Sequence, residues 1–229
     1  GQPCDMAPIL ELARTHDLLV VEDAAHAFPA DYGGTPVGSL GDATCFSFYA
    51  NKTMTTGEGG MLTTSRADIA ERARRLRLHG LSEGAAERFR VPGSRGVARL
   101  PGAEEGGGGR GAAALHYEHL LADAPRVRPL RRHPGRGPAW HLFVVRLDGA
   151  PRDEIVLRLA GSGIGTSVHY RPLHLHSFYE DRYGYRPEDF PNATRAFESV
   201  LSLPLFSTMT ESQVERVVAT LLREMEDYP

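Results

Sequence analysis

At 229 residues, 41% hydrophobic and 24% charged, the chain has the composition of an ordinary globular protein and room for one large domain or a domain and part of another. A formal net charge of −3 gives no electrostatic case for nucleic acid or an anionic membrane. No apolar run approaches the roughly 18 residues of a spanning helix, no basic-then-apolar leader opens the sequence, and Cys4 and Cys45 form neither a disulfide framework nor a metal-ligand pattern. A cytoplasmic protein is the simplest expectation.

Asp5 is a good N-cap for a helix over Met6 to His16, with Pro8 in its first turn and Ile9, Leu10 and Ala13 on one face. The apolar run Leu18-Leu19-Val20-Val21, ending at Glu22-Asp23, predicts a buried parallel strand. Thr44 to Phe48 and Met61 to Thr64 read as two further strands, and Ala67 to Leu78 as an arginine-rich helix. From Arg90 to Gly111 neither the strand nor the helix period survives, and the run Gly106 to Gly109 predicts a flexible segment. Order resumes with a short helix near Ala113 to Ala122, a strand over Trp140 to Leu147, a helix over Arg152 to Ala160 and an extended piece at Gly165 to Val168. Thr210 and Gln213 form a capping box at the start of a last helix. No internal repeat is present.

Three features stand in order: Glu22-Asp23-Ala24-Ala25-His26 after the first strand, Phe46-Ser47-Phe48 on the second, and Asn51-Lys52-Thr53-Met54-Thr55-Thr56-Gly57-Glu58-Gly59-Gly60 beyond it. Ligands of open α/β sheets bind outside the carboxyl ends of parallel strands, which is where Asp23, His26, Ser47 and Lys52 fall. Singly, each has a plain structural reading: a turn-forming Asp, a packed His, a solvated Lys in a glycine-rich turn. Together they are the set that pyridoxal 5'-phosphate (PLP) chemistry requires. That set is a lysine for the Schiff base, an acid for the pyridine nitrogen, a neighbour for the ring and a hydroxyl for the phosphate.

The stretch VVEDAAHAFPADYGGTPVGSLGDATCFSFYANKTMTTGEGGMLTT (20–64), with GIGTSVHYRPLHLHSFY (163–179) and DFPNATRAFESVLSLPLF (189–206), resembles the DegT/DnrJ/StrS-type sugar aminotransferases. The resemblance runs from Gly1 to about Glu83 and resumes from Trp140 to the C-terminus. It implies an α/β fold of PLP-dependent transferase type I, like aspartate aminotransferase. Residues 1–85 would be part of the PLP-binding large domain, 86–138 an atypical Gly/Pro/Arg-rich segment and 139–229 a small C-terminal α/β domain. It implies Lys52 as the lysine that carries the cofactor, Asp23 as partner of the pyridinium, His26 beside the ring and Ser47 as a phosphate ligand. The implied reaction moves an amine, usually from glutamate, to a ketone on a nucleotide-linked sugar. Members of this family serve nucleotide-sugar metabolism and polysaccharide biosynthesis, and are typically homodimers.

His169, His174 and His176 crowd together near Glu180 and Asp181, but the resemblance makes this a substrate-facing loop, with His169 a substrate or cofactor-edge contact and no metal expected. A branch of the family with His in place of the lysine removes a hydroxyl instead of adding an amine; Lys52 argues against it. The sequence departs from the family in two places. It lacks the long segment that family members carry before the position of Gly1. Between about Ala85 and Pro138, RFRVPGSRGVARLPGAEEGGGGRGAAALHYEHLLADAPRVRPL (88–130) replaces a segment that belongs to the family's dimer contact. The expectation is therefore an incomplete copy, with a non-catalytic PLP-fold remnant or pseudogene product as the alternative.

Overall fold

The computed structural model describes residues 1–77 and 103–228. Two compact units emerge, Gly1–Gly107 with Arg132–His141, and Gly108–Arg131 with Leu142–Pro229. Among the described residues no helix is long and apolar enough to cross a membrane.

The first unit opens with α1 (Met6–Thr15), which buries Met6 and Ala13. Asp5 occupies the N-cap position without making a side-chain cap bond. Its carboxylate instead accepts the Tyr32 hydroxyl proton at 2.6 Å and pairs with Arg136 at 3.2 Å. The Tyr32 hydroxyl in turn accepts the Ala7 N–H at 3.3 Å, so a tyrosine does the capping that the sequence assigns to the acid. After α1 the chain reverses at Asp17, whose φ of 52° is tolerable for an Asp.

Strand β1 is Val21–Asp23, shorter and later than the apolar run suggests. Leu18 and Leu19 precede it and are 58% and 62% exposed, and Val21 is 68% exposed. The ladder starts late because Val20 is held by Asp42: its N–H donates to Asp42 Oδ2 at 2.8 Å, and its carbonyl accepts the Asp42 and Ala43 N–H groups. β2 (Asp31–Tyr32) and β3 (Thr35–Pro36) form a hairpin closed by Gly33 and Gly34, both at positive φ as a tight two-residue turn demands. β4 (Ala43–Ser47) runs parallel to β1 and antiparallel to β5 (Gly60–Thr63), giving the sheet order β1-β4-β5. α2 (Ala67–Leu76) follows, matching the expected helix, whose predicted last residue lies outside the described residues.

The helix α3 (Ala103–Leu120), whose residues from Gly108 on belong to the second unit, corrects one expectation. The tail of the glycine-rich stretch, Ala103 to Gly111, is helical; the part from Arg90 to Gly102 lies outside the described residues. Each glycine costs a helix roughly 1 kcal/mol against alanine. Burial of Ala113, Ala114 and Tyr117 along its second half supplies the opposing packing that propensity omits. β6 (Val127–Pro129), β8 (Phe143–Leu147) and β9 (Val200–Leu203) form an antiparallel sheet, while β7 (Arg136–Gly137) belongs to the first unit and pairs with β2. α4 (Arg152–Gly161), α5 (Ser177–Tyr183), α6 (Pro191–Ser199) and α7 (Glu211–Glu226) complete the unit. The extended piece expected at Gly165 to Val168 is reduced to a single bridge, Ser167 to Ser202.

The core of the second unit is Tyr117, Leu121, Val145, Ile155, Leu159, Leu201 and Leu221, all at most 2% exposed. Tyr117 stacks on Phe143 with centroids 4.7 Å apart and donates to Pro204 O at 3.0 Å; burial pushes its phenol well above the usual range. α7 begins with the expected capping box: Thr210 Oγ1 accepts the Gln213 N–H and Gln213 Oε1 accepts the Thr210 N–H. Its other end is fastened by Arg126, whose guanidinium donates to the carbonyls of Met225, Tyr228, Asp148 and Gly149.

Two outcomes follow. Leu221→Ala destabilises the second unit by about 2–5 kcal/mol, whereas Leu157→Ala changes stability by less than about 0.5 kcal/mol, since Leu157 is 73% exposed. Denaturant titration of both variants reads the contrast. The second outcome concerns Asp42, whose pKa is held below its ordinary 3.8, chiefly by the Val20 N–H and then by Arg66. A lowered carboxylate pKa stabilises the fold above the ordinary value and loses that contribution as pH falls through the folded-state value. Acid unfolding of Asp42→Asn is therefore expected to be less steep below pH 3.8 than that of the parent chain.

Candidate functional site

The parallel ladder of β1 on β4 pairs Val21 with Ala43, Glu22 with Thr44 and Asp23 with Cys45. One more bond, Ala24 N–H to Cys45 O at 2.8 Å, carries the pairing past Asp23. Asp23 and Ser47, two residues beyond Cys45, thus emerge at the same carboxyl end of two adjacent parallel strands. Asp23 is exposed; its Oδ1 accepts the Ala25 N–H at 3.0 Å, and Oδ2 has no hydrogen-bond partner among the described residues. The turn that this bond organises carries His26, half-buried, its ring 4.2 Å from that of His141 and tilted by 42°.

Glu22 plays a part that the sequence does not advertise. Its Oε1 accepts the Gly41 N–H at 2.9 Å and the Thr44 hydroxyl proton at 2.7 Å, tying β1 to the turn before β4. Gly41 is required there, because a Cβ would come within 2.9 Å of Val20 O. The only sequence signal was an acid one place before Asp23, on the opposite face of a strand.

Beyond β4 the chain closes a tight, internally bonded loop. Phe48 N–H donates to Gly59 O at 2.9 Å, while Phe48 O accepts the Thr56 N–H at 2.9 Å and the Thr55 hydroxyl proton at 3.1 Å. Thr55 Oγ1 accepts the Gly57 N–H at 2.9 Å, and Thr56 Oγ1 donates to Glu58 O at 2.7 Å. Gly57 sits at φ +82°, where a side chain would be strained. Phe48 is buried and meets Phe28 edge-on at 6.4 Å, which seats the loop on the sheet. Lys52 lies in this loop with its N–H on Tyr49 O at 3.0 Å. Its side chain is half-buried, and its Nζ makes no hydrogen bond or ion pair among the described residues. Ser47 Oγ accepts the Tyr49 N–H at 3.4 Å and keeps its own proton for another acceptor.

Lys52 is also the only lysine of the chain; every other side-chain cation apart from histidine is arginine. Arginine stays protonated in proteins and cannot serve as an amine nucleophile, so the single side-chain primary amine stands at this one loop position.

A cavity of about 290 Å³ opens beside β1 with Asp23, His26, Val21 and Ile9 among its walls. Neither Lys52 nor Ser47 lines it. Lys52 and Ser47 are therefore gathered with Asp23 by strand order rather than by a shared cavity.

The remaining candidate, His169, lies in the second unit. Its Nδ1 is 2.8 Å from Ser202 Oγ and its ring meets Tyr170 edge-on at 4.9 Å. Burial pushes its pKa below the ordinary 6.5, so the neutral ring is favoured near neutral pH. His174 is buried, with Nε2 2.9 Å from Thr194 Oγ1. Because Thr194 gives its own proton to Pro187 O at 2.9 Å, His174 is the donor of that pair and acts as a structural clasp. His176 bonds to Arg171 O at 3.3 Å. Among the described residues no three His, Cys, Asp or Glu side chains group as a metal site. A wider groove of about 960 Å³, between Gly149–Pro151 and α6, touches none of the candidate residues.

The donor set fits PLP: one free primary amine, one carboxylate with an open oxygen, one hydroxyl with a spare proton and one ring, three of them at one end of a parallel strand pair.

Known proteins resemble the chain along almost its whole length. The chain is 38% identical to the spore coat polysaccharide biosynthesis protein SpsC of Bacillus subtilis (strain 168), over 95% of this chain and 62% of that protein. It is 36% identical to GDP-perosamine synthase of Caulobacter vibrioides, over 96% of this chain and 62% of the relative. Among solved structures, S. venezuelae DesV in complex with a ketimine intermediate superposes with a TM-score of 0.83 at 33% identity, covering 98% of this chain and 62% of that one. The chain thus spans 62% of the length of each of these three proteins. The model of the DegT/DnrJ/EryC1/StrS aminotransferase family matches residues 1–222. The chain belongs to the DegT/DnrJ/EryC1/StrS aminotransferase family and has the α/β fold of its PLP-dependent members.

Proposed function

We propose that this chain carries the cofactor-holding core of a PLP-dependent aminotransferase that moves an amine from an amino-acid donor, glutamate, to a keto sugar nucleotide. The observation that carries the reading is the placement of the sole lysine. Lys52 sits in an internally hydrogen-bonded loop directly beyond a strand whose parallel neighbour ends at Asp23. Support for the sugar substrate comes from the relatives: one is named a GDP-perosamine synthase and another a spore coat polysaccharide biosynthesis protein. A cytoplasmic location, a homodimer as in the family the sequence resembles, and the absence of nucleic-acid or membrane partners belong to the same reading.

PLP supplies, when bound, an electron sink that makes the proton on the amine-bearing carbon removable. Lys52 Nζ would hold the cofactor, and its amine would be the base placed to move that proton. Asp23 Oδ2, open at the end of β1, keeps the pyridine nitrogen protonated, with Oδ1 fixed by the Ala25 N–H. Ser47 Oγ donates to the phosphate, and His26 bounds the ring. His169 contacts substrate through the ring edge not engaged by Ser202.

The expected result for the purified chain is a rise in melting temperature with PLP, corresponding to about 2.7 kcal/mol at a hundredfold excess over Kd. It is accompanied by a visible-edge absorbance band and by glutamate-dependent amination of a keto sugar nucleotide. Lys52→Arg keeps the charge and loses band and turnover, and Asp23→Asn lowers turnover by about 10²-fold or more. A chain that melts identically with and without PLP and shows no band is instead the non-catalytic remnant.

A further inference from the structure

His141 stands far along the chain from the residues just described, and neither strand order nor spacing points to it. It nonetheless belongs to the first unit. The segment Arg132–His141 returns to that unit as a strap. Arg136 and Gly137 of β7 pair with Tyr32 and Asp31 of β2, His133 N–H donates to Gln2 Oε1 at 3.1 Å, and Ala139 N–H donates to Gly1 O at 3.0 Å. Trp140 turns the chain at φ 48°, with the Arg132 guanidinium 5.7 Å from its ring. The strap ends by seating the His141 ring against His26 at 4.2 Å.

The two imidazoles are unequal. His141 is 8% exposed and Ala139 beside it 3%, whereas His26 is half-buried and lies on the wall of the cavity it shares with Asp23. His141 is not among the residues lining that cavity. The buried ring therefore backs the more exposed one and limits the tilts open to it.

We propose that His141 is a positioning residue: its ring fixes the plane of the His26 ring, so that the His26 face turned away from it meets the cofactor ring in one orientation. This rests on the assignment of His26 as the ring neighbour of PLP. The role proposed is that of the shape and planarity of the ring. A flat aromatic should replace it and an aliphatic of similar bulk should not.

The test uses the full 229-residue chain and its His141→Phe and His141→Leu variants. Without cofactor, the His26 ring-proton resonance is expected to move in His141→Leu and to stay nearer the parent position in His141→Phe, which reads the contact alone. With PLP, all three proteins show the visible-edge band. His141→Leu binds PLP about three- to tenfold more weakly and loses most of the circular dichroism induced in that band, while His141→Phe keeps both. Equal affinity and equal induced dichroism in all three, with the band present, would overturn the positioning role and leave the cofactor reading intact. Failure of the Phe variant alongside Leu overturns it too, because a ring-shape role predicts rescue. A parent chain with no band sinks the cofactor reading, and the positioning role with it.

Discussion

The parallel pairing of β1 with β4 is the constraint on which the rest of the site depends. It is only three residues long, Val21 to Asp23 against Ala43 to Cys45, and is fastened at both ends by groups outside the ladder. At the amino end Asp42 grips the backbone of Val20 and is held in turn by Arg66. Midway, Glu22 bonds to Gly41 and Thr44. At the carboxyl end Ala24 donates to Cys45. These clamps fix the register, and in a sheet a slip of one residue would turn Asp23 to the other face and separate it from Ser47 and Lys52. Two of the three clamps are carboxylates that accept more than one hydrogen bond each, which is stronger restraint than the strand's own length provides.

The loop beyond β4 solves a second problem. A lysine with the role proposed for Lys52 needs its backbone held in place. Phe48 supplies the anchor: its N–H donates to Gly59 O, its carbonyl accepts from Thr55 and Thr56, and its ring is buried. Thr55 Oγ1 accepts the Gly57 N–H, Thr56 Oγ1 donates to Glu58 O, and Gly57 takes the positive φ.

Much of this was legible in sequence, and for identifiable reasons. The order of Asp23, Ser47 and Lys52 after apolar runs is a topological statement, and α/β topology places such residues at strand ends. The capping box at Thr210 was legible because its two partners are three residues apart. What could not be read were partnerships across long separations. Tyr32 caps α1 from 25 residues away, Arg126 closes α7 from about a hundred, and His141 reaches His26 across more than a hundred. The apolar run at Leu18-Leu19 misled for the same reason: periodicity reports hydrophobicity, whereas the strand starts where Asp42 permits. The glycine run in α3 misled in the opposite sense, since local propensity argued for a loop and burial of Tyr117 carried the helix.

The central claim is that Lys52 is the amine that carries the cofactor, and a chain with a single lysine makes it unusually direct to test. Incubation with PLP, borohydride reduction and peptide mapping by mass spectrometry should place one reduced phosphopyridoxyl group on the peptide containing Lys52, and none on the Lys52→Arg chain. A label confined to the amino-terminal amine, or no label on folded protein, would contradict the account.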